Sequence, residues 1–287
     1  HKRLTKISKD TATGHANMHE HGDVVGDAIY RQKCPICGAE RKDSQIGLEL
    51  TPQDYVRRLV EVFRGVRDTL KEDGTVWLNL GDTYHNYRAD GLNVKQTLHK
   101  DKHDQPEVSP NRANKIQGLK EKDLMGIPWR VAFALQEDGW YLRQDIIWHK
   151  PNPMPESVKD RCTKAHEYIF LLSKNSHYYF DHEAIQEEAS QESETKNKRS
   201  VWTVNTKPYK EAHFAVFPTD LIEPCIKAGC PKDGHVLDPF GGSGTTGLMA
   251  DRLNRNATII ELNKDYVEIA EDRLMGETPL FTKVKVL

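Results

Sequence analysis

Val236-Leu237-Asp238-Pro239-Phe240-Gly241-Gly242-Ser243-Gly244-Thr245-Thr246-Gly247 begins as a β-branched, apolar strand led by His235 and passes into a glycine-rich turn. From Thr245, Leu248, Met249, Ala250 and Leu253 recur at helical spacing. Strand, tight turn and helix N-terminus together form the geometry that receives a nucleotide-like ligand at the carboxyl edge of a parallel sheet. The glycines admit backbone conformations that a Cβ would block, and their amides are expected to point at the ligand.

The spacing narrows the ligand. No lysine follows the glycines, and the run is not a clean G-x-G-x-x-G. A phosphate cradle is therefore disfavoured, and Asp238 inside the turn would repel a pyrophosphate while pairing with a cationic amine. Ala257 to Asn263 reads as the next strand, and it ends near Glu261, an acid placed for ribose hydroxyls. A ligand with a ribose, a cationic amino-acid end and no phosphate is S-adenosylmethionine.

Around this element the chain of 287 residues is long enough for one large α/β domain or a domain with an insertion. Its formal net charge of −2 excludes a global basic field, so nucleic-acid contact must rest on local patches. No apolar run approaches the ~18 residues of a membrane helix, and no membrane partner is expected. Five cysteines, an odd number, fit a reducing cytoplasm better than a disulfide framework.

Residues 1–44 read as a polar arm. Cys34-Pro35-Ile36-Cys37 has the spacing of half a zinc knuckle, with His15, His19 or His21 as partners in a mixed structural zinc site; two reduced thiols in a turn are the alternative. Residues 45–182 form one half of the domain. Thr51 and Pro52 open a helix whose face carries Tyr55, Leu59, Val62, Phe63, Val66 and Leu70. Thr75 to Leu80 follows as a buried strand and stops at Gly81-Asp82-Thr83-Tyr84, polar residues at a carboxyl end. Residues 85–122 read as a long surface loop.

A helix from Ile127 to Leu135 and a strand from Trp140 to Trp148 come next, broken by His149-Lys150-Pro151-Asn152-Pro153-Met154-Pro155. Three prolines forbid helix and ladder there, leaving a rigid rim. Trp148, Lys150 and Asn152 could hold an extruded base by stacking and edge hydrogen bonds; the bland reading makes Trp148 core. His166 to Lys174 is a buried strand and Tyr178 to Asp181 a short one. Residues 183–200, polar and aperiodic, read as an insertion or target-recognition remnant. Residues 201–287 complete the domain, with a helix through Leu221, Ile222, Cys225 and Ile226 before the organising strand and a last helix from Tyr266 to Leu274.

These motifs resemble the DNA amino-methyltransferases of the permuted β class, in which the cofactor motif follows the catalytic half. The resemblance covers Gln45 to Leu274 and implies a Rossmann-like, mostly parallel sheet flanked by helices, the class I methyltransferase fold in permuted order. It implies Asp238, Phe240, Gly242, Ser243, Gly244 and Thr245 as the cofactor loop, Glu261 and Asn263 on the ribose side, His213, Phe217 and Pro218 as the element closing over the cofactor, and Asp82 as a further contact. The implied activity moves a methyl group from S-adenosylmethionine to the exocyclic amine of a flipped base in double-stranded DNA, cytosine N4 ahead of adenine N6. The implied setting is a prokaryotic or phage-encoded protein, monomer or homodimer. Methylation of RNA or a small molecule, and an inactive DNA-binding relative, are the other readings. The family's (Ser/Asp/Asn)-Pro-Pro-(Tyr/Phe) segment should precede residue 45, and the chain has no Pro-Pro pair. The expectation is that the segment lies upstream of His1, and no catalytic residue is assigned.

Overall fold

Thr51 sets the first helix: its hydroxyl accepts the Asp54 amide at 3.1 Å and donates to the Asp54 carboxylate at 2.7 Å. This computed structural model describes residues 45–49, 51–85, 118–189, 194–207, 216–277 and 284–285. The chain divides into two compact units, His1–Gln45 and Ile46–Leu287, and the helices and strands from Pro52 onward belong to the second. Helix α1 (Pro52–Thr69) buries Leu59, Val60 and Phe63. Val60 takes the place that the spacing assigns to Val62.

Strand β1 (Thr75–Leu80), helix α2 (Ile127–Glu137), strand β2 (Tyr141–His149) and strand β3 (His166–Ser173) follow. A single-turn 3₁₀ helix at Glu183–Ile185 precedes a small hairpin of β4 (Glu187–Glu188) and β5 (Thr195–Lys196), and β6 (Val201–Thr203) comes after it. Helix α3 (Thr219–Gly229), strand β7 (His235–Asp238), helix α4 (Thr245–Arg252), strand β8 (Asn256–Ile259) and helix α5 (Lys264–Glu277) complete the order.

The larger sheet has the order β1-β3-β2-β6. Strand β3 runs antiparallel to both neighbours, whereas β2–β6 and β7–β8 are parallel. The sheet is thus more mixed than the patterning implies. Residues 150–165 join β2 to β3 without a crossover helix, and so direct a return to the adjacent position must be antiparallel. Because β1 and β2 both oppose β3, and β6 follows β2, the carboxyl ends of β1, β2 and β6 share one edge.

Both faces of this sheet are covered. On one, Leu78, Phe170 and Leu172 meet Leu59, Phe63, Val131 and Leu135 of the two helices. On the other, Ile146, Trp148, Ile169 and Trp202 meet Leu221 and Cys225 of α3. The same helix turns Ile226 and then Cys230 towards Met249, Ala250 and Val236. One helix therefore joins the core of the larger sheet to that of the β7–β8 pair.

Three expectations change. Tyr178 to Asp181 makes no ladder; its amides at Tyr179 and Asp181 bond the carbonyls of Asp73 (2.8 Å) and Ala228 (2.9 Å) instead. The supposedly aperiodic stretch 183–200 holds the β4–β5 hairpin, with Arg199 paired to Glu187. Strand β8 stops at Ile259, because the residues after it are drawn into the turn that follows β7. Among the described residues no helix is long and apolar enough to cross a membrane.

Leu221 is fully buried where α3 meets the larger sheet. Leu221→Ala should lower the unfolding free energy by about 2–5 kcal/mol, read as a shift in the urea midpoint at unchanged slope. Burial pushes the Cys225 thiol far above its usual range and raises that of Cys230, while Cys162 is exposed. A thiol reagent should accordingly label Cys162 in the native protein and the other two only in denaturant, as peptide mass spectrometry would reveal.

Candidate functional site

Four amides of the turn between β7 and α4 have partners close by. Phe240 N–H donates to Asp238 Oδ1 (2.9 Å), Gly241 N–H to the Ile260 carbonyl (2.9 Å), Gly242 N–H to Glu261 Oε2 (2.8 Å) and Gly244 N–H to the Gly241 carbonyl (2.9 Å). The glycine amides at 241, 242 and 244 are turned inward, contrary to the expectation that they face a ligand. That difference is informative. A phosphate site presents unsatisfied amides to the anion; here these four are taken, and two carboxylates stand in the turn.

Those carboxylates keep acceptor capacity. Asp238 Oδ2 also accepts the Thr246 hydroxyl at 2.5 Å, and Glu261 Oε1 accepts Asn263 N–H at 2.8 Å. An ionised carboxylate offers about four lone-pair sites, so each can still receive a donor from a ligand. Around them stand exposed apolar side chains: Phe240 is 47 % exposed, Ile260 54 % and Leu262 76 %. Acceptors beside uncovered apolar surface suit a ligand with hydroxyl or amine donors and a flat apolar part.

Behind the turn the packing is close. Gly244 has φ 77°, a left-handed conformation, and a Cβ there would meet Ala270 Cβ at 2.8 Å. Ser243 and Thr245 are buried rather than presented. Arg273 of α5 donates to the Ser243 carbonyl and hydroxyl (both 3.3 Å) and to the Thr245 hydroxyl (2.9 Å). Both side chains thus hold the turn in place. Asn263 caps α5, its Oδ1 accepting Asp265 N–H at 3.0 Å.

At the carboxyl edge of the larger sheet, Asp82 follows β1. Its Oδ1 accepts the amides of Thr83 (2.9 Å) and Ile127 (3.0 Å), which makes it the anchor of the α2 N-terminus. Its other oxygen lies 3.9 Å from Lys164 Nζ. The rim after β2 crosses towards the same place, with the Arg161 guanidinium 3.8 Å from the centre of the Tyr84 ring.

Trp148 is only 3 % exposed and donates its indole N–H to the Val204 carbonyl at 2.8 Å. In this arrangement it is core, with no face left for a base. Lys150 lies over that ring, 4.2 Å from its centre, and is ion-paired with Glu167. Asn152 exchanges hydrogen bonds with the Thr206 backbone, accepting its N–H at 2.9 Å and donating to its carbonyl at 3.1 Å. Phe217 packs into the second core cluster and Pro218 precedes α3. His213 and the zinc candidates Cys34 and Cys37 lie outside the described residues, among which no group of three or more metal-ligating side chains occurs.

Sequence reasoning missed Arg273, Lys164, Arg161 and Glu167. A signal existed for the first alone: Val267, Ala270 and Leu274 share one face of α5, and Arg273 interrupts it beside a small residue that admits close approach.

The DNA methylase family matches residues 21–272. The Type II methyltransferase M.SmaI of Serratia marcescens is 51 % identical over 232 residues, 80 % of this chain and 77 % of its own. M.Cfr9I of Citrobacter freundii, also a Type II methyltransferase, is 50 % identical over 239 residues, 82 % and 76 % of the two chains. In fold, the chain is similar to the cytosine-N4-specific PvuII DNA methyltransferase, with TM-score 0.58 at 21 % identity over 86 % of this chain and 77 % of that one. It is similar too to M1.HpyAVI in its complex with SAM, with TM-score 0.52 at 22 % identity over 77 % and 84 %.

A Cβ on Gly241 would come within 1.7 Å of Ile259 Cγ2, whereas one on Gly276 would meet nothing within 4 Å. Gly241→Ala should therefore lower the melting temperature by several degrees, while Gly276→Ala, in an open helical position, should leave it unchanged or raise it slightly. Differential scanning calorimetry of the two variants distinguishes them.

Proposed function

The chain belongs to the DNA methylase family and is a DNA methyltransferase, and on that premise we propose that S-adenosylmethionine binds at the turn after β7 and that the acceptor is the exocyclic amine of a flipped base in duplex DNA. The observation that carries the reading is the pair of carboxylates, Asp238 and Glu261, standing in the turn and already holding its Phe240 and Gly242 amides. The residues fit that ligand: Glu261 has acceptors to spare for ribose hydroxyls, Asp238 suits a cationic amine, and Phe240 and Leu262 offer apolar surface to an adenine.

Bound S-adenosylmethionine supplies a methyl group on a cationic sulfur. The chain's task is to bring an amine to it. An exocyclic amine is a poor nucleophile because its lone pair is delocalised into the ring, so acceptors that hold its hydrogens must turn the lone pair towards the methyl. In-line transfer then depends mainly on positioning, for which effective molarities of about 10⁵–10⁸ M are available. Because the amine is tied up in pairing, the base must leave the duplex. The shared carboxyl edge of β1, β2 and β6, crossed by the 150–165 rim, is the surface we assign to the base and its strand. Cytosine N4 is the favoured acceptor and adenine N6 the alternative.

Type II relatives support a place in restriction–modification, in which the methylated product is protected from cleavage. Transfer of tritiated methyl from S-adenosylmethionine to duplex DNA, followed by nucleoside mass spectrometry, tests the reading; label on RNA alone would overturn it, and the modified nucleoside identifies the amine. Asp238→Ala and Glu261→Ala should each weaken calorimetric affinity for S-adenosylmethionine by about 10–100-fold, matching the roughly 1.5–3 kcal/mol of a hydrogen bond to a charged group. Unchanged affinity in both variants would remove the ligand from this turn.

A further inference from the structure

The loop between β2 and β3 is built more firmly than a connection requires. Lys150 N–H donates to the Ala165 carbonyl at 2.8 Å and closes the loop at its base. Inside it, Glu156 is ion-paired with Arg161 and accepts the Lys164 amide at 3.4 Å. From outside, Asn152 is clamped to the Thr206 backbone by its reciprocal pair of hydrogen bonds, reinforced by the Thr206 hydroxyl on the Asn152 carbonyl at 3.3 Å. Pro151, Pro153 and Pro155 fix φ at alternate positions along the tip.

What this framework supports is one apolar side chain in water. Met154 is 85 % exposed, more than any other large hydrophobic residue among those described. Val158, the other apolar residue displayed on the loop, is 42 % exposed and lies beyond the proline run. The loop carries four basic residues against two acidic ones, and Lys159 is exposed beside the tip. Arg161 and Lys164 bring the loop over the end of β1, against Tyr84 and Asp82.

We propose that Met154 is the wedge that enters the duplex where the target base leaves the stack. The wedge rests on the flipped base of the proposed function. Extruding a base opens a gap whose unstacking costs a few kcal/mol, and inserted apolar side chains, methionine among them, offset that cost. A thioether chain is slender, unbranched and polarizable, so it adapts to the space between base pairs. A tip already held by three prolines and a clamp loses little further freedom on insertion. Lys159, exposed beside the tip, would meet a phosphate flanking the gap.

The test uses the full chain and duplex DNA from a host without DNA methylation, the modified position being mapped by sequencing. Oligonucleotide duplexes carrying that site are then compared with duplexes abasic opposite the target, where nothing pairs with the base. Met154→Ala should lower kcat/KM on the paired duplex by about tenfold or more and recover to within about twofold of wild type on the abasic one. Met154→Leu should stay near wild type, and S-adenosylmethionine affinity and melting temperature should not move. With 2-aminopurine at the target position, the fluorescence rise on binding should be smaller for Met154→Ala. Equal loss on both duplexes, or no loss with an unchanged fluorescence rise, would overturn the wedge alone. A wild-type chain that neither methylates duplex DNA nor raises 2-aminopurine fluorescence would overturn the flipped-base reading with it.

Discussion

Gly241 lies against Ile259 so closely that no side chain fits between them, and the construction of the turn proposed to hold the ligand follows from that contact. The close approach lets Gly241 N–H reach the Ile260 carbonyl, which ties the turn to the chain just past the end of β8. Glu261 is then one residue beyond, where its carboxylate can take the Gly242 amide and the Asn263 amide together. The carboxylate is thus fixed by backbone donors and needs no other side chain to orient it. A turn closed in this way makes a poor anion cradle, since its Phe240, Gly241, Gly242 and Gly244 amides are occupied and two carboxylates stand beside them. The two carboxylates keep acceptor capacity, which suits hydroxyls and amines.

The sheet arranges the edge proposed for the base by a comparable economy. Returning as β3 between β1 and β2 costs the chain no crossover helix, and it leaves the long proline-containing loop at the same edge as the ends of β1 and β6. Polar and aromatic groups from three separated parts of the sequence converge there: Asp82 and Tyr84, Arg161 and Lys164, Asn152 and Thr206. Most are bonded to one another, so the edge is stiff before anything binds. Groups such as Asp82 and Asn152, which look like reagents in the sequence, spend their hydrogen bonds on this stiffness.

Much of the fold was legible because its signals are local. Thr51-Pro52 before a periodic face, Asp73-Gly74 before an apolar run, and Val236 to Gly247 as strand, turn and helix each carry their own evidence within a dozen residues. What misled is non-local. The direction of β3 depends on which neighbours it joins, and Tyr178 to Asp181 has the composition of a strand but finds its partners at Asp73 and Ala228. The acids Asp238 and Glu261 of the turn stood out in the sequence as carboxylates at or just past the end of a strand. The inward turn of the amides did not, since it depends on a carbonyl at Ile260 that the turn reaches only in three dimensions. Trp148 shows the same limit: an aromatic at a strand end is core or platform according to what covers it, and here α3 and Val204 cover it.

Helix α3 bears on the proposed methyl transfer through packing. Leu221 and Cys225 sit in the core of the larger sheet, and Ile226 and the cap residue Cys230 in the core beneath the turn after β7. Its C-terminal Gly229 comes so near Trp77 that a Cβ would lie 2.5 Å from the indole nitrogen, so the helix has little freedom to slide along β1. With the donor at the proposed turn and the acceptor at the proposed edge, transfer would be sensitive to displacements of about 1 Å. A densely packed helix shared by both cores sets that separation, and packing at this density resists compression and transmits strain. Catalysis that relies on placement more than on proton transfer therefore depends on apolar residues well away from the reacting atoms.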